Sequence, residues 1–195
     1  MSARRPRDAR RKETHHAFFS TSLGECAIAW TAREIAWIVL PELSPEVTRA
    51  RAAAGSSAEA EPPSWVREAI VHIAEHLAGA DADLSSIPLD LGAVPPFHRR
   101  VYEVTRAVAR GEVRTYAEIA AAAGSPLATR AVGQALAKNP FPIVVPCHRV
   151  IAAGNTPGGF SAPGGLDTKA RLLAIEGRAL AVDRQSMLSV GEPPR

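Results

Sequence analysis

The sequence predicts a mixed α/β (α+β) chain in two parts, a small sheet with flanking helices followed by a mostly helical half carrying a helix-turn-helix. Three observations predict it. From Phe18 to Pro41, strand-like runs are broken by Gly24 and by Ala32-Arg33-Glu34, the pattern of an antiparallel meander. Two alanine-rich helical patterns, Thr115 to Gly124 and Ala128 to Lys138, flank the turn Ser125-Pro126-Leu127. Charge is also segregated between the parts. Residues 13–91 hold four basic and twelve acidic side chains, whereas residues 92–178 hold eleven basic and five acidic.

In chain order, residues 1–13 form a basic tail, Arg4-Arg5-Pro6-Arg7 to Arg10-Arg11-Lys12, expected to be disordered and to add sequence-independent affinity for nucleic acid. The tail lacks the apolar stretch of a signal peptide, and no run is long enough to span a membrane. Residues 14–91 form the first domain. After the meander, Glu46 to Ala54 reads as helix, and Gly55 to Ser64 as a flexible loop rich in Ser, Glu and Pro. Trp65 to Leu77 places Val66, Ile70, Ile73 and Leu77 at helical spacing, a core stripe. Asp83 to Leu91 is expected to return as a short strand. The second domain, residues 92–183, opens at Pro95-Pro96-Phe97, with Phe97, Val101, Val104 and Val108 as a core-facing stripe. Residues 184–195 are expected to be a loose tail.

Thr115 can cap the first helix of the pair, and Gly124 sits where a C-terminal glycine belongs. The second helix carries Arg130 at its start and the small residues Ala131, Gly133, Ala135 and Ala137. Gly133 in mid-helix costs about 1 kcal/mol relative to alanine, so a close approach of backbone to a partner is expected there. Asn139-Pro140 stops the helix.

The run Ile143-Val144-Val145, bounded by prolines, reads as a buried strand that holds Cys147 at its end. His148 and Arg149 follow directly, and a cation beside a thiol raises its thiolate fraction. Two cysteines give little case for a disulfide scaffold, and Cys26 reads as a small core hydrophobe. His15 and His16 are the only close pair of metal-ligand types, so no metal is expected.

The motifs Gly111-Glu112-Val113-Arg114-Thr115-Tyr116, Arg130-Ala131-Val132-Gly133, Asn139-Pro140 and Pro146-Cys147-His148-Arg149-Val150-Ile151 together resemble the O6-alkylguanine-DNA alkyltransferase family. So do Gly164-Gly165-Leu166, Lys169, Leu172-Leu173 and Glu176-Gly177, over about residues 92–180. The resemblance implies a ribonuclease-H-like first domain without nuclease chemistry, and a winged-helix-like DNA-binding second domain. It also implies a cytoplasmic repair protein, expected to be monomeric, that needs no cofactor and engages double-stranded DNA through the minor groove, with cooperativity along DNA left open.

The implied chemistry is extrusion of an alkylated guanine from the stack and transfer of its O6-alkyl group to Cys147, with O4-alkylthymine as a second candidate substrate. By the same resemblance, Glu176 orients His148, which draws the thiol proton through water. Tyr116 crowds the target phosphate and touches the guanine edge. Arg130 enters the gap, with Ala131, Gly133 and Thr115 at the DNA, and Asn139 braces the recognition helix. Phe160, Ser161 and Val150 form the base pocket. A thioether has no good leaving group, so the protein acts once. Two departures stand out. Phe160 replaces a tyrosine that the family commonly has, and the loop Ser161-Ala162-Pro163-Gly164-Gly165 is longer than the family's short form. The alternative is a sensor that binds alkylated bases without transferring the group. A cysteine hydrolase using Cys147, His148 and Glu176 leaves Arg130 and the helix pair unexplained.

Overall fold

The computed structural model describes residues 13–55 and 58–179, so all but Glu13 of the expected basic tail, and the expected tail at 184–195, lie outside the described residues. Strands β1 (His15–Thr21), β2 (Gly24–Trp30) and β3 (Ile35–Val39) form the expected meander. Residues Ala58–Glu59, expected as loop, add a two-residue strand β4 parallel to β1, so the sheet order is β3-β2-β1-β4. Helices α1 (Pro45–Gly55) and α2 (Ser64–Leu77) cover opposite faces of the sheet. The two-residue period of a strand explains this. On central β2, Cys26, Ile28 and Trp30 join the core with Val66, Ile73 and Leu77 of α2, while Ala27 packs with Ala52 of α1.

Two expected strands are not strands. From Asp83 to Leu91 only Leu89 pairs, in a single bridge to Ile35, because the Asp83 carboxylate turns the chain by accepting from Ser85 N at 2.7 Å and Pro88 has no N–H to offer a ladder. Ile143-Val144-Val145 is a buried turn. Pro140, Pro142 and Pro146 remove three donors, Ile143 takes a left-handed φ of 73°, and Val145 N donates back to Phe141 O at 2.8 Å. Apolar content put these side chains inside, but burial does not require a strand.

The second half comprises α3 (Pro96–Arg106), β5 (Arg114–Thr115), α4 (Tyr116–Ala122), α5 (Thr129–Ala137), β6 (Val150–Ile151) and α6 (Gly165–Ile175). β5 and β6 pair in parallel, which sets the start of α4 beside the chain leaving Cys147. Thr115 caps α4 in a reciprocal box with Glu118, and Gly124 ends it at φ 71°. The hydroxyl of buried Tyr102 on α3 donates to Ala135 O at 2.9 Å, tying α5 to the core. The apolar core is continuous between the two halves, joining Ile28, Leu84, Val101, Phe141 and Leu172. Ile38 N also donates to Pro140 O across the junction at 2.8 Å. Among the described residues, no helix is long and apolar enough to cross a membrane.

Candidate active site

Cys147 is placed by the turn before it. Pro146, at φ −79° and ψ 67°, makes an inverse γ-turn that closes Cys147 N onto Val145 O at 2.8 Å. A 3-10 turn over Cys147–Arg149 then feeds β6. The thiol receives Asn139 Nδ2 at 3.4 Å, and the same amide nitrogen donates to Val145 O at 2.9 Å. Asn139 Oδ1 accepts from Phe141 N at 2.9 Å, so one side chain braces both arms of the turn.

The expectation that His148 and Arg149 flank the thiol as cations is corrected here. Both side chains make their hydrogen bonds with Glu176 and not with the thiol. Arg149 Nε donates to Glu176 Oε2 at 2.9 Å, and its Nη2 to Oε1 at 2.7 Å, while Nη1 donates to Val108 O at 2.6 Å. His148 Nε2 meets Glu176 Oε1 at 2.8 Å. Burial works against the Glu176 charge, but hydrogen bonds from His148, His76 and Arg149 hold the carboxyl far below the usual carboxylate range. An ionised carboxylate only accepts, so His148 carries its hydrogen on Nε2 and leaves Nδ1 as a bare acceptor. That Nδ1 is buried and has no hydrogen-bond partner among the described residues. Burial also depresses the pKa of His148, more than Glu176 raises it, which keeps the ring neutral.

Burial pushes the Cys147 thiol up, opposed by the Asn139 hydrogen bond and by the Lys169 charge. Lys169 is fully buried on α6, and its Nζ donates to Val150 O at 2.6 Å and Pro157 O at 2.5 Å. Burial brings its amine down to about 8, with the Cys147 charge acting the other way. Lys169 and His76 are electrostatic partners of the site that sequence reasoning did not assign to it. For the first, the available signal was its place on the face of α6 that also carries Leu172 and Leu173.

Cys147 opens into a pocket of about 510 Å³ whose lining includes Tyr116, Arg130, Gly133, Phe160 and Ser161. Tyr116 OH donates to Gly159 O at 3.2 Å, and Ser161 Oγ to Ala137 O at 3.1 Å, so the loop after β6 is fastened to α4 and α5. Arg130 is exposed at the start of α5. Of the expected site residues, Val150 does not line this pocket. Its side chain is fully buried, and only its carbonyl reaches the site, through Lys169. Thr115 has its hydroxyl committed to the α4 cap, and Ala131 lies half-buried on α5 outside the lining. No group of three or more His, Cys, Asp or Glu among the described residues could hold a metal ion.

A thiol opening into a pocket beside a paired-helix element, with a neutral histidine held by a buried carboxylate, defines a protein built around a cysteine nucleophile. Comparison with known proteins gives the family. Residues 96–178 match the DNA-binding domain of 6-O-methylguanine DNA methyltransferase. The methylated-DNA–protein-cysteine methyltransferase of Methanothermobacter thermautotrophicus is 39% identical over 124 residues, covering 64% of this chain and 68% of that protein. The Mycobacterium tuberculosis O6-methylguanine methyltransferase superposes with a TM-score of 0.66 at 31% identity, over 86% of this chain and 96% of that one. OGT of the same organism, solved in complex with DNA, gives a TM-score of 0.64 at 30% identity, over 85% and 95% of the two chains. The chain belongs to the family of methylated-DNA–protein-cysteine methyltransferases, which places it in the repair of alkylated DNA.

Proposed function

We propose that this protein binds duplex DNA from the minor groove, extrudes an O6-alkylguanine, and moves the alkyl group to Cys147 in a single turnover. The observation that carries the reading is one pocket bounded by the thiol, Tyr116, Arg130 and Phe160. A base edge inside the duplex is out of reach of a fixed thiol, so the nucleotide swings out at a cost of about a few kcal/mol. Arg130, exposed at the helix start, fills the gap, and the guanine ring lies against Phe160.

The thiol proton passes through a water to His148 Nδ1, the lone-pair nitrogen left by the Glu176 contact. The Cys147 Sγ–carbon bond forms as the carbon–O6 bond breaks, and the leaving guanine takes a proton. Phe160 has no hydroxyl to give, so the proton comes from Tyr116, and backbone N–H groups near Ser161 stabilise the developing charge by hydrogen bonds alone. The imidazolium of His148 returns a proton to the tyrosinate through solvent. The charge of Glu176 stabilises the imidazolium that forms. The Lys169 charge lowers the cost of the thiolate. Asn139 holds the thiol and its turn in place and stays outside the bond changes. The product thioether has no leaving group better than the thiolate itself, so the protein is consumed.

Incubation with duplex DNA carrying one O6-methylguanine, followed by intact-protein mass, tests the reading. A gain of about 14 Da on Cys147, absent in Cys147→Ala with DNA binding retained, is expected from the covalent product. Lesion-selective binding with no change of mass would instead make the protein a damage sensor.

A further inference from the structure

The carboxylate that holds His148 has a second histidine on the same oxygen. His76, in the last turn of α2, places Nε2 at 3.0 Å from Glu176 Oε1, the atom that also accepts from His148 at 2.8 Å and from Arg149 at 2.7 Å. His76 comes from the first half of the chain and is 3% exposed, so this contact is a built one and not a surface encounter. In the sequence, His76 sits in a helix whose apolar stripe accounts for its packing, and nothing in the transfer reaction as derived above uses it.

We propose that His76 is a positioning residue for alkyl transfer: by donating to Glu176 it fixes the carboxylate that orients His148, so the first half of the chain completes the active site. The inference rests on the transfer reading given above. Three physical points support it. First, the ionised carboxylate accepts only, so His76 also carries its hydrogen on Nε2, and its buried Nδ1 is left without a partner among the described residues. Retaining such an unpaired atom costs stability, and a nonpolar residue would have filled the same space in the core.

Second, Glu176 follows the last turn of α6, and among the described residues no other hydrogen bond reaches its side chain from α2 or the sheet. Arg149 holds the carboxylate from the Cys147 turn itself, so Arg149 and His148 move with the nucleophile. His76 is the hydrogen-bond partner that ties Glu176 to a separate element, and the geometry of the base then depends on how the two halves dock. Second-sphere partners of this kind set the orientation and proton affinity of the group they hold.

Third, the direction of the effect on the base is fixed by electrostatics. Three donors share the negative charge of Glu176. Removing one leaves more of that charge facing His148, which raises its proton affinity, so that a proton blocks Nδ1 up to a higher pH than in the parent. The groups around His76 act in the same arrangement: Glu176 and Arg149 contact the network directly, and Asp81, Asp83, Arg106 and Arg110 line the same polar cavity of about 400 Å³ as His76.

The test compares the parent, His76→Leu and His76→Gln for single-turnover methyl transfer from O6-methylguanine duplex, read by intact mass between about pH 6 and 9. Glutamine keeps a neutral N–H donor at the reach of Nε2, and leucine keeps volume without the donor. The ratio of variant to parent rate removes the common thiol titration. His76→Leu is expected to be slower than the parent at the acid end of the range, by a factor that grows as pH falls, and to converge on the parent at high pH. His76→Gln is expected to restore most of the loss at low pH, with binding to lesion-containing DNA the same in all three. A His76→Leu rate equal to the parent at every pH overturns the inference. So does a loss that is the same at every pH or that glutamine does not rescue, since either marks a purely structural residue. If the parent itself transfers no methyl group, it is the transfer reading that fails, and a change in the pH dependence cannot then arise.

Discussion

Asn139 and Cys147, eight positions apart, meet through one amide nitrogen that lies 3.4 Å from Sγ and 2.9 Å from Val145 O. The asparagine that ends the second helix of the pair is therefore also the direct hydrogen-bond donor to the nucleophile. Displacement of α5 on binding a partner would reach the thiol without passing through the core.

Asn139→Ala removes that donor and leaves Phe141 N and Val145 O without their side-chain partners. Each half-buried group that loses its partner costs about 1 kcal/mol, so a fall of about 2 kcal/mol in unfolding free energy by urea titration is expected. The thiol loses the largest influence that opposes burial. Alkylation of Cys147 by iodoacetamide at neutral pH should therefore slow in the variant while it is still fully folded. A variant that is destabilised but equally reactive would separate the two roles and show that the amide only braces the turn.

Glu176→Gln tests the buried network by stability. The change leaves Arg149 inside without its ion partner, and breaking such a pair costs about 3–5 kcal/mol. The pH dependence has a definite sign. The native carboxyl is held below its ordinary value of 4.5, so its stabilisation is complete above that value and is lost as pH falls toward the native value. The difference in stability between parent and Glu176→Gln should be constant from about pH 6 to 8 and shrink below about pH 4.5. A difference that grows on acidification would mean that the carboxyl is protonated in the native state.

Much of this arrangement was legible in the sequence, and the misses have distinct causes. The meander, the α2 stripe, the capped α4 and the residues Cys147, His148 and Glu176 follow from periodicity, cap chemistry and motif order. Ile143-Val144-Val145 and the segment 83–91 were misread because apolar composition reports burial, whereas prolines and a carboxylate cap decide local geometry. The sequence also set His148 and Arg149 beside Cys147, although a 3-10 turn sends consecutive side chains in different directions. His76 was hidden for another reason. It lies 100 positions from Glu176, and no local pattern carries a contact of that range.

Lys169→Met gives a signed prediction for the thiol. Removing the charge takes away an influence that favours the thiolate, so iodoacetamide alkylation near pH 7.5 should slow by about threefold to tenfold, since the rate follows the thiolate fraction. Stability supplies an independent check. Burial brings the native amine to about 8 against an ordinary value of 10.5. Between those values the unfolded chain holds a proton that the native protein has released, so the parent gains stability relative to Lys169→Met as pH rises from about 8 to 10. Urea midpoints of both proteins at the two ends of that window measure it.

Tyr116 is packed unequally between two glycines, and the difference separates folding from recognition. A Cβ at Gly158 would lie 2.8 Å from Tyr116 Cε2 and 3.2 Å from its hydroxyl, at a φ of 65° that side chains resist. Gly158→Ala should therefore destabilise the protein and displace the ring that walls the pocket, so stability and methyl transfer fall together. Gly133 is different: a Cβ there would meet only Tyr116 Cε1, at an ordinary 3.9 Å. Nothing among the described residues requires glycine at that position, and alanine in mid-helix is favoured by about 1 kcal/mol. If the small face of α5 is kept for a close approach to the DNA backbone, Gly133→Ala should raise the urea midpoint while weakening affinity for duplex DNA at fixed salt. Thermal unfolding together with fluorescence anisotropy on labelled duplex checks both halves. A variant that is more stable and binds equally well would show that the helix does not bring this residue to the backbone, and the docking face would then have to be sought around Arg130 alone.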